Sequence, residues 1–497
     1  MSDQKVTKVV IAGGGTAGWI TAAALSKQLG PLLSITLVES DQIGTVGVGE
    51  ATIPTHRTFH RLIGVDEQEF MKATQATFKL GIAFENWARI GDRYIHSFGQ
   101  IGRSTWMADF HHVWRRAQAE DLATDLGDYC FELQAAEAGK FATSEKSPIN
   151  YAYHLDATLY AQFLRKKSEE AGVRRVEGRI DRVEQRSTDG HVEALVLQSG
   201  ERIEGDLFID CTGFRALLIE GTLQTGFEDW SEWLPTNSAF AVQTEAVEPA
   251  RPYTRAMAHD AGWQWRIPLQ HRVGNGLVYC SEYLSDDEAQ TRLLGNVEGR
   301  TLTDPRLIRY QTGRRKKIWN KNVVSMGLSS GFLEPLESTS IHLIQIAATR
   351  LIQLFPFSGI TPAIAARYND QSANDLRQIR DFLILHYKLT ERDDSPFWRR
   401  CRDMSIPDTL QERIDLFREH GHAYQAPDDL FRVDSWVQVM LGQRARVEGY
   451  HRMGHMMSTA QAKSALETMR SNIASTVAKL PTHAEFIARY CAAGKPG

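Results

Sequence analysis

Residues 8–25 read KVVIAGGGTAGWITAAAL and decide the fold. The stretch Lys8–Ala12 is a short apolar run typical of a buried strand, and Trp19–Leu25 has the composition of a helix. Between them, the GxGxxG pattern of Gly13, Gly15 and Gly18 allows a tight turn, a close backbone approach to a pyrophosphate, and close packing of helix on strand. The order strand, glycine loop, helix therefore predicts a dinucleotide-binding site.

A second strand-like stretch, Ser34–Val38, ends in Glu39. An acidic residue about 20 positions after the glycines is where such units hold a ribose hydroxyl. The amides at the helix start would hold the phosphates, because they sit at the positive end of the helix dipole. A glycine turn without a ligand is the alternative, which the strand, the spacing and the acid together disfavour. No second unit of this kind follows, which favours a flavoprotein that receives its reducing equivalents from elsewhere.

The composition narrows the class of protein. The chain has 497 residues, of which 42% are hydrophobic and 24% charged, and a formal net charge of −4. Positive and negative side chains are thus nearly equal in number, so the protein as a whole has no electrostatic field that would attract nucleic acid or an anionic membrane. Five dispersed cysteines without metal-ligand spacing are typical of reduced thiols in a cytoplasm. With no signal-peptide pattern and no apolar run of the ~20 residues that span a bilayer, we expect a cytoplasmic protein without a metal site.

Residues 78–87, FKLGIAFENW, alternate in the manner of a strand. Lys79 lies on the same predicted face as the small Gly81 and Ala83, which would leave space above its ammonium group. Taken alone, this segment favours the ordinary interpretation that Lys79 is a solvent-exposed lysine on a strand. Residues 93–98, RYIHSF, are also strand-like, so the sequence predicts an antiparallel hairpin within an inserted region at about residues 77–160.

Further along, residues 151–171 have the composition of a helix, and residues 175–183, 192–197 and 202–210 predict a meander that returns to the parallel sheet. The last of these strands runs into a Thr-Gly turn at residues 211–215, at the edge where open α/β sheets bind ligands. Residues 262–268, GWQWRIP, place two indole rings on one face of a strand, which core packing alone could explain.

The stretch most informative about a functional site is residues 322–342, NVVSMGLSSGFLEPLESTSIH. A strand enters a Gly/Ser/Pro loop, and an amphipathic helix follows at Ile341–Phe355, ended by Pro356. Ser338 or Thr339 is the expected N-cap, and the amides of Thr339 and Ser340 would form an anion site. The ordinary interpretation of Glu337 is a first-turn carboxylate stabilised by the helix dipole.

Beyond Pro356 the sequence is mostly helical, at residues 374–389, 407–420 and 459–480. We therefore predict an α/β fold: a Rossmann-like FAD-binding domain of the flavin monooxygenase type at residues 1–345, with inserted antiparallel β-structure, and a mostly helical substrate-covering module at residues 346–497.

The chain resembles the flavin-dependent halogenases of the tryptophan halogenase type over nearly its whole length. The motifs that carry the resemblance are GGGTAGW (13–19), GVGEATIPT (47–55), FKLGIAFENW (78–87), DCTGFR (210–215), WxWxIP (263–268) and GFLEPLEST (331–339). The WxWxIP element discriminates most, because related flavin monooxygenases lack it.

The resemblance implies that reduced FAD, supplied by a separate NAD(P)H-dependent flavin reductase, reacts with O2 and a halide to give hypohalous acid. The acid passes through a tunnel to Lys79, which holds it by a hydrogen bond or as a haloamine, and Glu337 assists the substitution of an electron-rich arene. The halide would lie at the amides of Thr339 and Ser340. By the same resemblance, His96 and Phe98 sandwich an indole-type ring.

Two further sets of residues follow from the resemblance. The implied FAD-binding residues are Gly13, Gly15, Thr16, Ala17, Gly18, Glu39, Ala51, Leu328 and Ile341, the last of which would touch the isoalloxazine. The signature residues along the tunnel are Trp263, Trp265, Ile267 and Pro268.

The chain departs from the family pattern at two places. It has Ser340 where the family usually has Gly, from which we hypothesise a bias toward bromination over chlorination. The residues that grip free tryptophan in tryptophan-specific members are not evident around residues 434–443, so we expect a small indole-like substrate that need not be a free amino acid. The alternatives are a flavin-dependent aromatic monooxygenase and a non-catalytic flavin-binding protein. A homodimer is the assembly that we consider. We expect neither nucleic acid nor a membrane as a partner.

Overall fold

The computed structural model describes residues 5–43, 49–105, 107–144 and 149–494. The chain forms two compact units, and each unit consists of three sequence segments that alternate with those of the other. The first unit comprises Met1–Ala76, Leu155–Asn237 and Arg309–Arg377, and the second comprises Thr77–His154, Ser238–Ile308 and Gln378–Gly497. This division differs from the predicted boundary after residue 345, which falls inside the helix Ser340–Gln353. The reason is that each unit builds its main sheet from strands far apart in sequence.

The helices and strands of the described residues are numbered in chain order. The helices are α1 (Thr16–Leu29), α2 (Thr55–Ile63), α3 (Glu67–Thr74), α4 (Phe110–Ala119), α5 (Phe131–Glu137), α6 (Ala157–Glu170), α7 (Asp286–Asn296), α8 (Ser340–Gln353), α9 (Pro362–Lys388), α10 (Pro396–Asp403), α11 (Asp408–His420), α12 (Val433–Gly442), α13 (Thr459–Lys479) and α14 (His483–Tyr490). The strands are β1 (Lys8–Ala12), β2 (Ser34–Glu39), β3 (Gly49–Ala51), β4 (Thr77–Lys79), β5 (Gly81–Glu85), β6 (Arg93–Ser97), β7 (Ala152–Asp156), β8 (Arg174–Glu177), β9 (Ile180–Gln185), β10 (Val192–Leu197), β11 (Arg202–Glu204), β12 (Leu207–Asp210), β13 (Phe227–Asp229), β14 (Ser238–Glu245), β15 (Thr254–His259), β16 (Gly262–Pro268), β17 (Arg272–Tyr279), β18 (Arg306–Arg309), β19 (Gly313–Arg315), β20 (Trp319–Asn320), β21 (Val323–Ser325) and β22 (Gly331–Phe332).

The first unit contains a sheet in the order β20-β21-β12-β1-β2-β8. Strand β1 is parallel to β2 and β12, and β12 is parallel to β21, while β20 closes one edge in the antiparallel direction. The central strands are apolar and buried, as strands covered on both faces must be. The C-terminal ends of β1, β12 and β21 therefore meet at one edge, which confirms the predicted Rossmann-like fold.

The predicted meander is confirmed as the antiparallel sheet β11-β10-β9. Its apolar side chains, among them Leu195 and Leu197, share a core cluster with Val10 and Phe208 of the parallel sheet. The predicted strand at 175–183 is two strands, β8 and β9. The chain changes sheet at Gly178, where an added Cβ would lie 2.7 Å from Leu197 Cδ1.

The second unit is built on the sheet β18-β14-β17-β16-β15-β5-β6. The predicted hairpin is confirmed, because β5 pairs with β6 in antiparallel register. Strand β16 carries Trp263 and Trp265, both buried, with ring centroids 6.1 Å apart. An added Cβ at Gly276 of β17 would lie 2.1 Å from the Trp265 ring, so the bare backbone of that glycine is what leaves room for the indole.

The prediction of a helix from residue 151 is wrong at its start. Residues Ala152–Asp156 form β7, whose partner β4 is paired through Thr77 with His154 and through Lys79 with Ala152. Helix α6 begins only after Asp156, whose carboxylate accepts the amides of Thr158 and Leu159. A pairing partner more than 70 positions away in sequence thus overrides the local helical composition.

The helices predicted beyond Pro356 are confirmed as parts of α9, α11 and α13. All five cysteines are buried. Within the described residues, no helix combines the length and the apolar character needed to cross a membrane.

Candidate active site

The glycine turn between β1 and α1 has one open side. Gly13 has φ +104°, and an added Cβ there would lie 2.3 Å from the Cys211 carbonyl oxygen. A Cβ at Gly18 would lie 1.9 Å from the Gly13 carbonyl oxygen, so both positions require glycine. Around Gly15, in contrast, no described atom lies within 4 Å of the added Cβ. Gly15 is the N-cap of α1 and provides no capping side chain, so the helix start is free to receive a pyrophosphate.

Two neighbouring loops complete this edge. The buried carboxylate of Asp210 accepts the amides of Thr212, Leu218 and Ile219, which fixes the predicted loop after β12. The turn after β21 contains Leu328, and an added Cβ at its Gly327 would lie 2.8 Å from Ala17 Cβ. The predicted FAD-binding residues Ala17 and Leu328 are thus on adjoining segments.

Glu39 ends β2 as expected, but its carboxylate already has partners within the protein. Arg175 Nε lies 2.5 Å from one oxygen, and Trp19 Nε1 donates to the other at 3.2 Å. A ribose hydroxyl would therefore bind a carboxylate that is held in place beforehand. Ala51 is buried in β3, whereas Gly47 and Val48 of the same motif lie outside the described residues.

The loop before α8 ends in an unusual turn. Ser338 adopts the left-handed conformation, with φ +60°, and Thr339 follows as the N-cap without a capping side-chain bond. One of the two predicted N-cap positions is therefore confirmed. Among the described residues, the amides of Thr339 and Ser340 have no acceptor. Glu337, the residue before this turn, is only 1% exposed.

Helix α8 is bound to α2 through a buried polar network that sequence reasoning missed. His342 Nδ1 lies 2.8 Å from Thr55 Oγ1, and Gln345 Nε2 lies 2.7 Å from His56 Nδ1. Burial lowers the pKa of His56 to about 3 and that of His342 to about 4, so both imidazoles are neutral. The only local signal was the occurrence of polar residues on the apolar face of α8. The network fixes the helix whose first amides lack acceptors.

A second glutamate of the GFLEPLEST segment also escaped the sequence interpretation. Glu334 is fully buried and accepts the hydroxyl of Thr236 at 2.5 Å. Its position directly before the Pro335–Glu337 turn makes it an anchor for the loop that carries Glu337.

Lys79 is not a solvated strand lysine. It has 0% exposure, and its Nζ lies 5.2 Å from the centroid of the Phe98 ring. Gly81 does not provide space above the ammonium group, because an added Cβ there would lie 2.5 Å from the His96 carbonyl oxygen. This glycine instead allows β5 and β6 to approach closely.

The strand that carries Lys79 is held by a threonine and a histidine. Thr77 Oγ1 donates to the carbonyl oxygen of Pro268 at 2.7 Å, which uses its only proton. His154 Nδ1, 3.0 Å from the same hydroxyl, must then donate, and its Nε2 accepts from Thr254 Oγ1 at 2.9 Å. Burial, followed by the charge of Lys79, holds the pKa of His154 well below its ordinary value. Pro268, the last residue of the WxWxIP strand, is thus hydrogen-bonded to the strand that carries Lys79.

A second histidine binds the backbone next to Lys79. His483, at the start of α14, accepts the amide of Phe78 at its Nε2, 3.1 Å away. Its Nδ1 donates to the carbonyl oxygen of Ala250 at 2.7 Å. Nothing in the sequence near residue 483 indicated this role.

The predicted substrate residue His96 lies within a larger group of aromatic rings. The His96 ring centroid is 5.6 Å from that of Phe382, which stacks on Phe431 at 3.7 Å. The backbone here is fixed by α12, because the amide of Gln438 bonds to the N–H and the carbonyl of Ser97. Sequence reasoning identified the histidine and the phenylalanine but not these neighbours.

The predicted residues fall into two sets. Lys79, His96, Phe98 and the Trp263–Pro268 segment belong to the second unit. The glycine turn, Glu39, Leu328 and the segment Glu337–Ile341 belong to the first unit.

A parallel sheet whose strand ends open on a bare glycine turn defines a dinucleotide-binding fold. A sequence profile of the family "Tryptophan halogenase" matches residues 8–459. The chain is 39% identical to tryptophan 6-halogenase SttH of Streptomyces toxytricini over 84% of this chain and 85% of that protein.

Two solved structures are similar in fold and sequence. Xcc4156, a flavin-dependent halogenase from Xanthomonas campestris, has a TM-score of 0.98 and 55% identity, with 99% of this chain and 100% of that chain covered. BrvH, a flavin-dependent halogenase from Brevundimonas sp. BAL3, has a TM-score of 0.93 and 45% identity, with 97% and 99% covered.

The chain therefore belongs to the tryptophan halogenase family of flavin-dependent halogenases. It is an enzyme that uses reduced FAD, O2 and a halide, and enzymes of this family generally need a separate flavin reductase.

The close contact at Gly13 and the open space at Gly15 lead to a prediction for FAD binding. Gly13→Ala forces a side chain into a left-handed conformation and against a carbonyl, and we expect it to lower the free energy of unfolding by at least ~2 kcal/mol. Gly15→Ala meets no described atom, so its unfolding midpoint should match that of the wild type. Its methyl group would obstruct the pyrophosphate and weaken FAD binding about tenfold. Thermal melts without FAD and fluorescence titration with FAD measure both effects, and unchanged FAD affinity in Gly15→Ala would contradict the assignment.

The buried histidine of α14 predicts a pH dependence of stability. Burial lowers the pKa of His483 from 6.5 to about 4. Between these values the unfolded chain takes up a proton that the folded chain does not, so stability is complete above pH 6.5 and is lost as the pH falls toward 4. We expect His483→Gln to reduce the slope of unfolding free energy against pH by ~1.4 kcal/mol per pH unit. Urea titrations across this range measure the slope.

The matched control for this experiment is His420→Gln, because the His420 side chain is 67% exposed. We expect this control to leave the slope unchanged. An unchanged slope in His483→Gln as well would show that the imidazole of His483 titrates freely in the folded chain.

Proposed function

We propose that this enzyme halogenates a small indole-type aromatic, with Lys79 and Glu337 acting on the hypohalous acid. The observation that carries the proposal is the complete burial of Lys79 beside the ring of Phe98. Withdrawing an ammonium group from water is costly, and a fold does so only where the charge has a partner or a task. Its position at the end of β4, near a group of aromatic rings, suits the delivery of an electrophile to an arene.

The residues of the first unit fit FAD. The open space at Gly15 and the uncapped start of α1 suit its pyrophosphate, and Leu328 and Ile341 would contact the ring system. When bound and reduced, FAD would supply two of the four electrons that O2 takes up and the halide would supply the other two, which gives hypohalous acid, water and oxidised FAD. The proposed FAD-binding set also includes Gly13, Thr16, Ala17, Gly18, Glu39 and Ala51.

The halide would bind at the start of α8. The acceptor-free amides of Thr339 and Ser340 provide two donors at the positive end of a helix dipole. The left-handed Ser338 supports this proposal, because it turns the chain sharply before the helix, and the N-cap Thr339 makes no capping side-chain hydrogen bond.

Two side chains would then perform the substitution. The Lys79 ammonium donates a hydrogen bond to the hypohalous acid, or Lys79 forms a haloamine with loss of water. The arene π electrons attack the halogen, the carbon–halogen bond forms, and the bond from the halogen to oxygen or nitrogen breaks. The Glu337 carboxylate stabilises the cationic arene and receives its proton. Trp263, Trp265, Ile267 and Pro268 would wall the route by which the acid travels, keeping it from bulk water.

The substrate class follows from the aromatic residues. His96 and Phe98, with Phe382 and Phe431 nearby, provide flat apolar surfaces that suit an indole ring. A relative named a tryptophan 6-halogenase supports an indole substrate, although the cluster that would grip an amino-acid backbone is not evident here. A homodimer and a cytoplasmic location are parts of this proposal, and light scattering after gel filtration tests the first.

Substitution of the two side chains tests the mechanism. We expect Lys79→Ala to abolish halogenation of indole in the presence of FAD, a flavin reductase, NADH and bromide. Glu337→Gln should lower the rate by ~10²–10³, because a neutral amide stabilises a cation poorly. Mass spectrometry of the product measures both losses.

The control for these variants is Lys463→Ala, since Lys463 is exposed on α13. FAD binding should be unchanged in all three variants. Halogenated product from Lys79→Ala would refute the role of the lysine, and an oxygenated product from the wild type would favour the monooxygenase alternative.

Ser340 provides a test of halide choice. The hydroxymethyl group is partly buried at the proposed halide site, where it alters the size and polarity of the space. We expect the wild type to favour bromide in a mixture of equal chloride and bromide, and Ser340→Gly to shift the product ratio toward chloride about tenfold, or ~1.4 kcal/mol. The control is Thr349→Ala, whose hydroxyl bonds only to its own helix. A wild-type preference for chloride would contradict the hypothesis.

A further inference from the structure

A groove in the second unit lies outside the residues assigned above. It has a volume of about 480 Å³, within the range of small-molecule sites. The side chains that line it come from α4, the end of α11 and the segment before α13. They are His112, Leu416, His420, His422, Tyr450, His451 and Arg452.

In two of these histidines, a hydrogen bond from a backbone N–H determines which ring nitrogen carries the proton. His112 Nδ1 accepts the amide of His451 at 3.2 Å, and His451 Nδ1 accepts the amide of Met453 at 3.2 Å. Because Nδ1 accepts in both imidazoles, the ring proton of each lies on Nε2. His112 is only 4% exposed, and among the described residues its Nε2–H has no acceptor. Because His112 lines the groove, this donor is available to a ligand there.

No carboxylate is among the described side chains that line the groove. Arg452 forms no ion pair within the described residues. Arg115, one turn after His112 on α4, donates to the Val447 carbonyl but has no carboxylate partner, and its buried Nε has no acceptor. Two carboxylates near the lining residues are Glu419, 3.8 Å from His420, and Asp109, whose charge acts on His112, and neither lines the groove.

We propose that this groove binds a small aromatic carboxylate. The carboxylate would accept from the Nε2–H groups of His112 and His451 and pair with Arg452, while Leu416 and Tyr450 contact the ring. Burial and the neighbouring histidines lower the pKa of His112 to about 4, so this side chain binds as a neutral donor and Arg452 supplies the charge. The proposal does not depend on the halogenation chemistry, because none of these residues belongs to the proposed reaction site.

Calorimetric titration of the full-length protein without flavin or reductase tests the proposal. The probes are indole-3-acetate and indole, which share a ring and differ in the carboxylate. We expect indole-3-acetate to bind the wild type at least tenfold more tightly than indole. Equal affinities would overturn the proposal.

Variants of the groove assign the binding to these residues. His112→Phe removes the Nε2 donor and keeps an aromatic ring, and Arg452→Gln removes an exposed charge without disturbing the core. We expect each to weaken indole-3-acetate binding at least tenfold, or ~1.4 kcal/mol, with little effect on indole. The matched control is Arg446→Gln, an exposed arginine of the same segment that does not line the groove. Wild-type affinity in Arg452→Gln together with a folded, unaffected His112→Phe would overturn the assignment.

Inorganic phosphate distinguishes the source of the anion. Displacement of indole-3-acetate by excess phosphate supports a contact through the negative charge. Phosphate binding in the absence of any indole-3-acetate binding would identify a phosphate site and overturn the aromatic carboxylate.

Discussion

The hydroxyl of Thr77 donates to the carbonyl of Pro268 and accepts from His154, and through these bonds the strand of Lys79 is joined to the strand of Trp263 and Trp265. A buried ammonium group needs such a constraint, because a mobile strand would let it return to water. The signature tryptophans and the proposed catalytic lysine are therefore parts of one structural element. This connection gives the WxWxIP strand a structural role besides the packing of its two indole rings.

The first unit leaves the starts of two helices without side-chain caps, as the proposed pyrophosphate and halide sites require. Gly15 leaves the start of α1 without a cap, and Ser338 and Thr339 do the same for α8. Free amides weaken a helix end, and neutral buried histidines offset this by holding α8 to α2 through Gln345 and His342. Neutrality matters, since a charged imidazole in this position would compete for the anion.

The sequence predicted the parallel sheet, the meander, the hairpin and the later helices, because each depends on local glycine positions or on apolar periodicity. It failed where a distant partner decided the outcome. Residues 152–156 have helical neighbours and became a strand by pairing with β4. Lys79 had the pattern of an exposed strand lysine and is buried, and Gly81 serves backbone packing instead of space beside it. The domain boundary at 345 likewise assumed contiguous modules, whereas the units interleave.

What the sequence by itself determined is the nucleotide-binding turn and the family. Both rest on short motifs whose geometry neighbouring residues dictate. The tertiary structure alone decided the burial of Lys79, the proton positions on its histidines, and the cationic groove around His112. The reason is distance along the chain: Thr77 and Pro268 are 191 residues apart, and Phe78 and His483 are 405 apart. Hydrogen bonds over such separations leave no periodic trace in a sequence, so only the folded chain reveals them.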